Sequence, residues 1–282
     1  MQMTTRESEI LEKYKEMPRQ LSKDFVDAIP WKDVKNFEID EKFIPVLVYM
    51  RDIEAFTDIY YKDMVRTPTG KDPVIRQFMD QWQVEELQHA NLLDRFLNEA
   101  GYPTSKKWLD EARAKIPTGF KIKGFIQPWI TNLIGDRFSA VHMTFGTIQE
   151  LTTLQGYKRL WETAKHPVLE HILKGIASEE SIHIFFYRNI AKLKLEESQY
   201  TQRLARFMVE KFWSPVGQGT KPKKETDYLI KTLFGDDEGL ERMDVNVNGS
   251  LSLLPGFAGT KRVTERVAEV FSQNTEGSAS AS

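Results

Sequence analysis

Glu85-Glu86-Leu87-Gln88-His89 and Glu179-Glu180-Ser181-Ile182-His183 are the two places in this 282-residue chain where Glu-x-x-His occurs. In a helix, residues three apart share a face, so Glu86 and His89 converge on one point, as do Glu180 and His183. Two such pairs, each joined by one glutamate from another helix, form the ligand set of helical bundles that hold two metal ions. The reading therefore turns on whether two further glutamates stand on the same inward faces.

Working outward, the first motif lies on a helix with clear ends. Asp72 is its N-cap, Pro73 its first residue, and Gly101 with Pro103 closes it. Its inward stripe is Phe78, Trp82, Glu86, His89, Leu93 and Phe96. The second motif follows the His166-Pro167 break, with a stripe of Ile172, Ile176, Glu180, His183, Tyr187 and Ile190. Each motif helix is preceded by another. One runs from about Asp40 to Arg66 with Leu47, Met50, Glu54, Asp58 and Tyr61 on one face. The other runs from Pro128 to Lys165 with Thr147, Glu150, Leu154 and Tyr157.

Glu54 and Glu150 thus sit on otherwise apolar faces, where an unpaired carboxylate is unfavourable by several kcal/mol. Four carboxylates and two neutral imidazoles balance two divalent cations, and an oxygen and nitrogen donor set suits iron or manganese. The candidate ligands are Glu54, Glu86, His89, Glu150, Glu180 and His183. Glu85 and Glu179 point about 100° away from their neighbours. They are either solvated helix surface or acceptors for the histidine N–H groups.

Composition excludes other chemistries. The chain has no cysteine, so disulfides, zinc thiolates, iron–sulfur clusters and thiol nucleophiles are ruled out. A net charge of −2 gives no bias toward nucleic acid. The polar N-terminus lacks a signal-peptide core, and the longest apolar run, Phe43 to Met50, is far too short to span a membrane. A cytoplasmic location is expected. Gly217-Gln218-Gly219 lacks the strand–helix context of a nucleotide site.

The expected fold class is all-α, a ferritin-like four-helix bundle core with additional flanking helices. Residues 1–273 are read as a single domain with its core bundle at about 40–200, and 274–282 as a disordered tail. A short helix is expected from Thr4 or Thr5 to before Pro18, and Pro30-Trp31 marks an irregular entry. Tyr102 to Gln127 is a connector. Beyond Thr201, Arg203–Phe212 reads as helix, Ser214–Lys224 as loop, Val245–Gly259 as turns, and Arg262–Phe271 as a final helix.

Several of these stretches resemble the soluble acyl-acyl-carrier-protein desaturases. Trp82 to Gly101 is similar to their first iron motif, and Ile176 to Tyr187 to their second, including a Tyr four residues past the histidine. Phe145 to Tyr157 is similar to the third-helix ligand segment, with Thr153 following the Glu, and Ile39 to Tyr61 to the first ligand helix. The likeness spans about Trp31 to Leu195. It departs at Gln88 and Ile182, where the family usually has Arg before each motif histidine, and in a shorter C-terminal part.

The resemblance implies two iron ions, O2 as co-substrate and an external electron donor, together removing two hydrogens from an unactivated methylene pair. It further implies a homodimer, an acyl carrier protein that delivers the substrate, and a ferredoxin-type donor. Thr153 would deliver protons, and Trp31 and Trp82 would relay electrons. Met143, Phe145 and Phe186 would line an acyl channel, their alternative being ordinary core packing. Lys32, Lys35 and Lys42 are candidates to meet an acidic carrier protein, and Lys221, Lys223 and Lys224 form the densest basic run. Rival readings are an N-oxygenase or hydroxylase of a carrier-bound substrate on the same bundle, and a non-catalytic iron-binding bundle. An N-oxygenase would need an extra histidine ligand, and His142, His166 and His171 lie off the ligand stripes.

Overall fold

In the computed structural model, residues 5–119 and 131–279 are described, with side chains as far as residue 272. The predicted start of the third long helix at Pro128, the end of the preceding connector, and residues 280–282 lie outside them. The fold is all-α, with no named strand among the described residues; Gln218 and Lys221 form an isolated bridge.

Helix α1 covers Thr5–Glu16, followed by a short turn of helix at Lys23–Ala28 and a 3₁₀ segment at Trp31–Asn36. Helices α2 (Ile44–Ala55) and α3 (Thr57–Met64) lead into α4 (Pro73–Glu99), which carries the first motif. Helix α5 (Phe138–Ala164) precedes α6 (Pro167–Glu196), which carries the second. The hairpins α2–α4 and α5–α6 face one another across the core, an arrangement compatible with a ferritin-like bundle.

Local chemistry sets the helix ends. The Asp72 carboxylate accepts from the amides of Val74 and Ile75 at 3.0 and 3.3 Å, and Pro73 needs no partner there. At the start of α6, His166 Nδ1 accepts from the Leu169 amide at 3.2 Å, so this histidine is a cap. Gly101 takes φ +91° past the end of α4.

The stripe from Leu47 to Tyr61 predicts one helix, but the chain breaks at Phe56. The Thr57 hydroxyl donates to the Glu54 carbonyl at 2.7 Å, offering a local alternative to the helical ladder. Past the break, Asp58 to Tyr61 are half-buried. Asp58 pairs with Lys62 and Arg113 at 2.8 and 3.0 Å, and Tyr61 donates to Asp80. Asp58 thus ends in an ion-pair network, while Tyr61 stays half-buried against the core.

The C-terminal third packs onto α2 and α5 as α7 (Gln199–Phe212), α8 (Lys223–Phe234) and α9 (Arg262–Ala279). Helix α9 runs past the predicted Phe271 into the stretch expected to be a tail. Of Val245–Gly259, predicted as turns, the first half instead continues a π-helical segment, Met243–Asn248, and a helical turn at Gly249–Ser252, while residues 253–259 are turns as expected. Its asparagines and glycine are poor helix formers; tertiary bonds such as Asn248 to Thr264 at 2.6 Å and Asn246 to Gln155 at 3.2 Å hold it. Lys221 is half-buried and paired with Asp52 and Glu225 at 2.8 and 2.9 Å. No helix among the described residues is long and apolar enough to cross a membrane.

Candidate metal centre

All six predicted ligand residues converge in the core, with the two histidines and Glu180 wholly buried and the other glutamates nearly so. They form two groups, Glu54, Glu86, His89 and Glu180, and Glu86, Glu150, Glu180 and His183. Within each group the donor atoms lie within 4.8 Å of one another. Glu86 and Glu180 belong to both. Glu86 directs Oε2 to His89 Nδ1 at 3.7 Å and Oε1 to His183 Nδ1 at 3.1 Å. Glu180 directs Oε1 to His89 Nδ1 at 3.3 Å and Oε2 to His183 Nδ1 at 3.2 Å. Each of these carboxylates thus presents one oxygen to each group, while Glu54 and Glu150 serve one group apiece, 3.8 and 3.9 Å from its histidine.

Glu86 Oε1, Glu180 Oε1 and His89 Nδ1 are buried without a hydrogen-bond partner, an expensive arrangement for groups that only pack. Oxygen and imidazole donors in two four-residue groups with shared carboxylates fit a pair of divalent ions.

The far nitrogens of the histidines settle Glu85 and Glu179. Both carboxylates are buried, so the solvated reading is overturned. His183 Nε2 lies 2.9 Å from Glu85, and His89 Nε2 lies 3.2 Å from Glu179. The partnership crosses over: each outer glutamate orients the histidine of the other motif and leaves its Nδ1 to face the centre.

Burial and close mutual contact set the charge balance among these side chains. Burial pushes the Glu54 and Glu150 carboxyls well up, reinforced by neighbouring carboxylates. Burial acts likewise on Glu86 and Glu180, but bonds from the histidines and, for Glu86, from Glu54 hold both below the usual range. Burial opposes a charged imidazole, yet the surrounding carboxylates raise His89 and His183 well above 6.5.

The predicted accessory residues fare unevenly. Trp82 Nε1 donates to Glu150 Oε1 at 3.0 Å, which fixes a candidate ligand. Trp31 stacks under Arg95 instead and donates to the Val26 carbonyl. Tyr157, on the predicted face but given no role there, donates its hydroxyl to Glu54. Thr147 and Thr152 return their hydroxyls to helix carbonyls, and Thr153 lines a cavity of about 70 Å³ together with Thr152 and Glu54.

In that cavity apolar space meets the centre at Glu54. Its walls include Met50, Ile53 and Gly156 from the bundle and Trp213, Ile230, Phe234 and Met243 from the C-terminal third. Met143 and Phe186 are fully buried packing residues, the latter stacked on Phe78 at 4.0 Å, and neither they nor Phe145 line it. The C-terminal wall carries no motif, so only an apolar bias in α8 and around Met243 hinted at it. Among the other histidines, His166 is the α6 cap, His171 stacks on Phe25, and His142 stacks on Phe138; none is in either four-residue group.

Comparison of the whole chain with curated proteins gives no match. The family model described as fatty acid desaturase matches residues 48–228, a span that contains all six converging side chains. With well over half of its length in that match, the chain belongs to the fatty acid desaturase family, whose members are oxidoreductases.

Proposed function

We propose that this protein is a di-iron desaturase that places a double bond in a fatty acyl chain carried on acyl carrier protein, using O2 and two electrons from a ferredoxin-type donor. The observation that carries the reading is the pair of shared carboxylates, Glu86 and Glu180, beside an apolar cavity that reaches Glu54. Glu54, Glu86, His89, Glu150, Glu180 and His183 would hold the two ions. When bound, they supply O2 activation and the oxidising power to break unactivated C–H bonds.

The chain's own residues do the rest. Glu86 and Glu180 set the spacing of the two positions. Glu85 and Glu179 hold the imidazole rings in the tautomer that exposes Nδ1. Tyr157 and Trp82 orient the two single-group carboxylates, Glu54 and Glu150. The cavity walls exclude water and hold the acyl chain so that one methylene pair faces Glu54, and position then selects the carbons that react. Thr153, on that wall, is the candidate to hold or pass a proton. Lys32 and Lys35 are exposed on the 3₁₀ segment before α2, where an acidic carrier protein can meet them. Lys42 is paired with Asp40 at 2.9 Å. A homodimer completes the proposal.

The test is reconstitution with iron under anaerobic conditions. Acyl-carrier-protein substrates of several lengths would then be supplied with ferredoxin, its reductase, NADPH and O2. Two irons per chain and an olefin product are expected. Two irons with no olefin from any carrier-bound substrate would leave the metal site standing and overturn desaturation; fewer than one iron would overturn the site.

A further inference from the structure

The two outer glutamates are held by one segment that no motif announces. Tyr14, at the end of α1, donates to Glu85 Oε2 at 3.0 Å, and Arg19 Nε donates to Glu85 Oε1 at 2.6 Å. The Arg19 guanidinium lies over the Tyr14 ring at 4.4 Å and donates to the carbonyls of Tyr14 and Met17, so the segment is folded upon itself. Two residues later the Leu21 amide donates to Glu179 at 3.0 Å. The Leu21 carbonyl accepts from Gln88 at 2.7 Å, next to His89 in the first motif.

Charge makes this arrangement consequential. Four ligand carboxylates already balance two divalent ions, so Glu85 and Glu179 are two surplus negative charges in the core. Arg19 compensates one with a charge-assisted bond, and the backbone of Leu21 stabilises the other with a neutral donor. Helix α1 is fixed in place independently: buried Lys194 joins Glu7 at 2.6 Å and Asp72 at 3.1 Å.

We infer that Tyr14–Leu21 is a positioning clip that grips both histidine supports at once and makes the two metal positions unequal. The inference rests on the two-metal reading above. The His183 position is backed by Arg19 through Glu85, and the His89 position by Gln88 and Leu21 through Glu179. Arg19 and Gln88 touch no ligand and act only through these carboxylates.

The test titrates the full-length, metal-stripped protein anaerobically with Co²⁺, reading its visible absorption bands and the melting temperature of the stripped protein. Arg19→Gln is expected to weaken one equivalent by up to about ten-fold and shift its bands, the low end of what losing a direct partner of a ligand costs, since Arg19 acts one bond further out. Arg19→Lys, which keeps the charge, recovers part of the loss. Gln88→Ala weakens the other equivalent, and Lys15→Ala, whose partners Glu12 and Gln77 lie at the surface, changes neither. Wild-type isotherms and bands in both Arg19→Gln and Gln88→Ala would overturn the clip. So would equal weakening of both equivalents in step with a lower melting temperature of the stripped protein, which is the mark of a merely structural role. A wild-type chain that takes no Co²⁺ would bring down the two-metal reading and the clip together.

Discussion

The two copies of Glu-Glu-x-x-His present nearly the same donors to the centre but stand in different surroundings. Glu86 and Glu180 divide their oxygens alike, whereas Glu85 is met by a tyrosine, an arginine and a glutamine and Glu179 by a backbone amide. Outside the copies, Glu54 is fixed by Tyr157 and Glu150 by Trp82. The difference teaches that repetition specifies where the donors stand, while unrepeated segments decide how each half behaves.

The strongest way to break the comparison is to separate shared from single-group ligands. Glu86→Ala removes an oxygen from both groups, so binding of both divalent ions should be lost, whereas Glu54→Ala should retain one ion per chain. Metal counts after dialysis decide it, and equal retention in the two variants would mean that Glu86 is not shared. Activity should vanish in both.

The next largest effect is on pH dependence, because protons stand in for cation charge in the stripped protein. His89 and His183 are raised, so their contribution is full below 6.5 and lost as pH rises through their folded values. Glu54 and Glu150 are raised too, so their stabilising effect fades from about 4.5 upward, whereas that of Glu85, Glu86 and Glu180 is lost as pH falls below 4.5. The stripped protein should therefore melt highest in mildly acid solution and less well at alkaline pH. Divalent metal should bind more tightly as pH rises, since it displaces protons. A melting temperature that climbs steadily to alkaline pH without metal would contradict this charge pattern.

Smaller effects sharpen the contrast between the motif side and the cavity side of α5. A methyl group at Gly146 would run into the Tyr187 ring, which packs between α5 and α6. Gly146→Ala should destabilise the fold by about 1–3 kcal/mol, measured by denaturant titration. At Gly156 the nearest atom is the mobile Met50 Cε at 3.0 Å, on the cavity wall. Gly156→Ala should barely change stability but should shift the preferred acyl chain length, read from product distributions across a chain-length series.

How much of this was legible in the sequence depends on range. Spacing within a helix is local, so the six converging side chains, both ends of α4 and the start of α6 could be read directly. The 100° offset of Glu85 and Glu179 left two readings open, because it fixes direction relative to a neighbour but not what covers the next face. The helix end at Phe56 was missed because periodicity assumes an unbroken helix, so Asp58, which pairs with Lys62 and Arg113, was read as part of one continuous stripe. Tyr14, Arg19 and Leu21 reach their partners from at least 66 residues away, and no pattern of residue types marks such contacts. The cavity wall fails for the same reason: apolar residues at helical spacing look alike whether they pack or line a space.

The cavity's second wall has a consequence for how this enzyme family can diversify. The bundle supplies every proposed ligand from residues 54–183, while much of the wall comes from residues 213–267. The C-terminal third is fastened to the bundle at its margins, by Tyr49 to the Val216 carbonyl at 2.7 Å and by Arg159 to the Leu233 carbonyl at 2.8 Å. Side chains between those fastenings can drift in size without disturbing a donor atom. Under the proposed function, substrate preference would then be a trait separable from the metal centre.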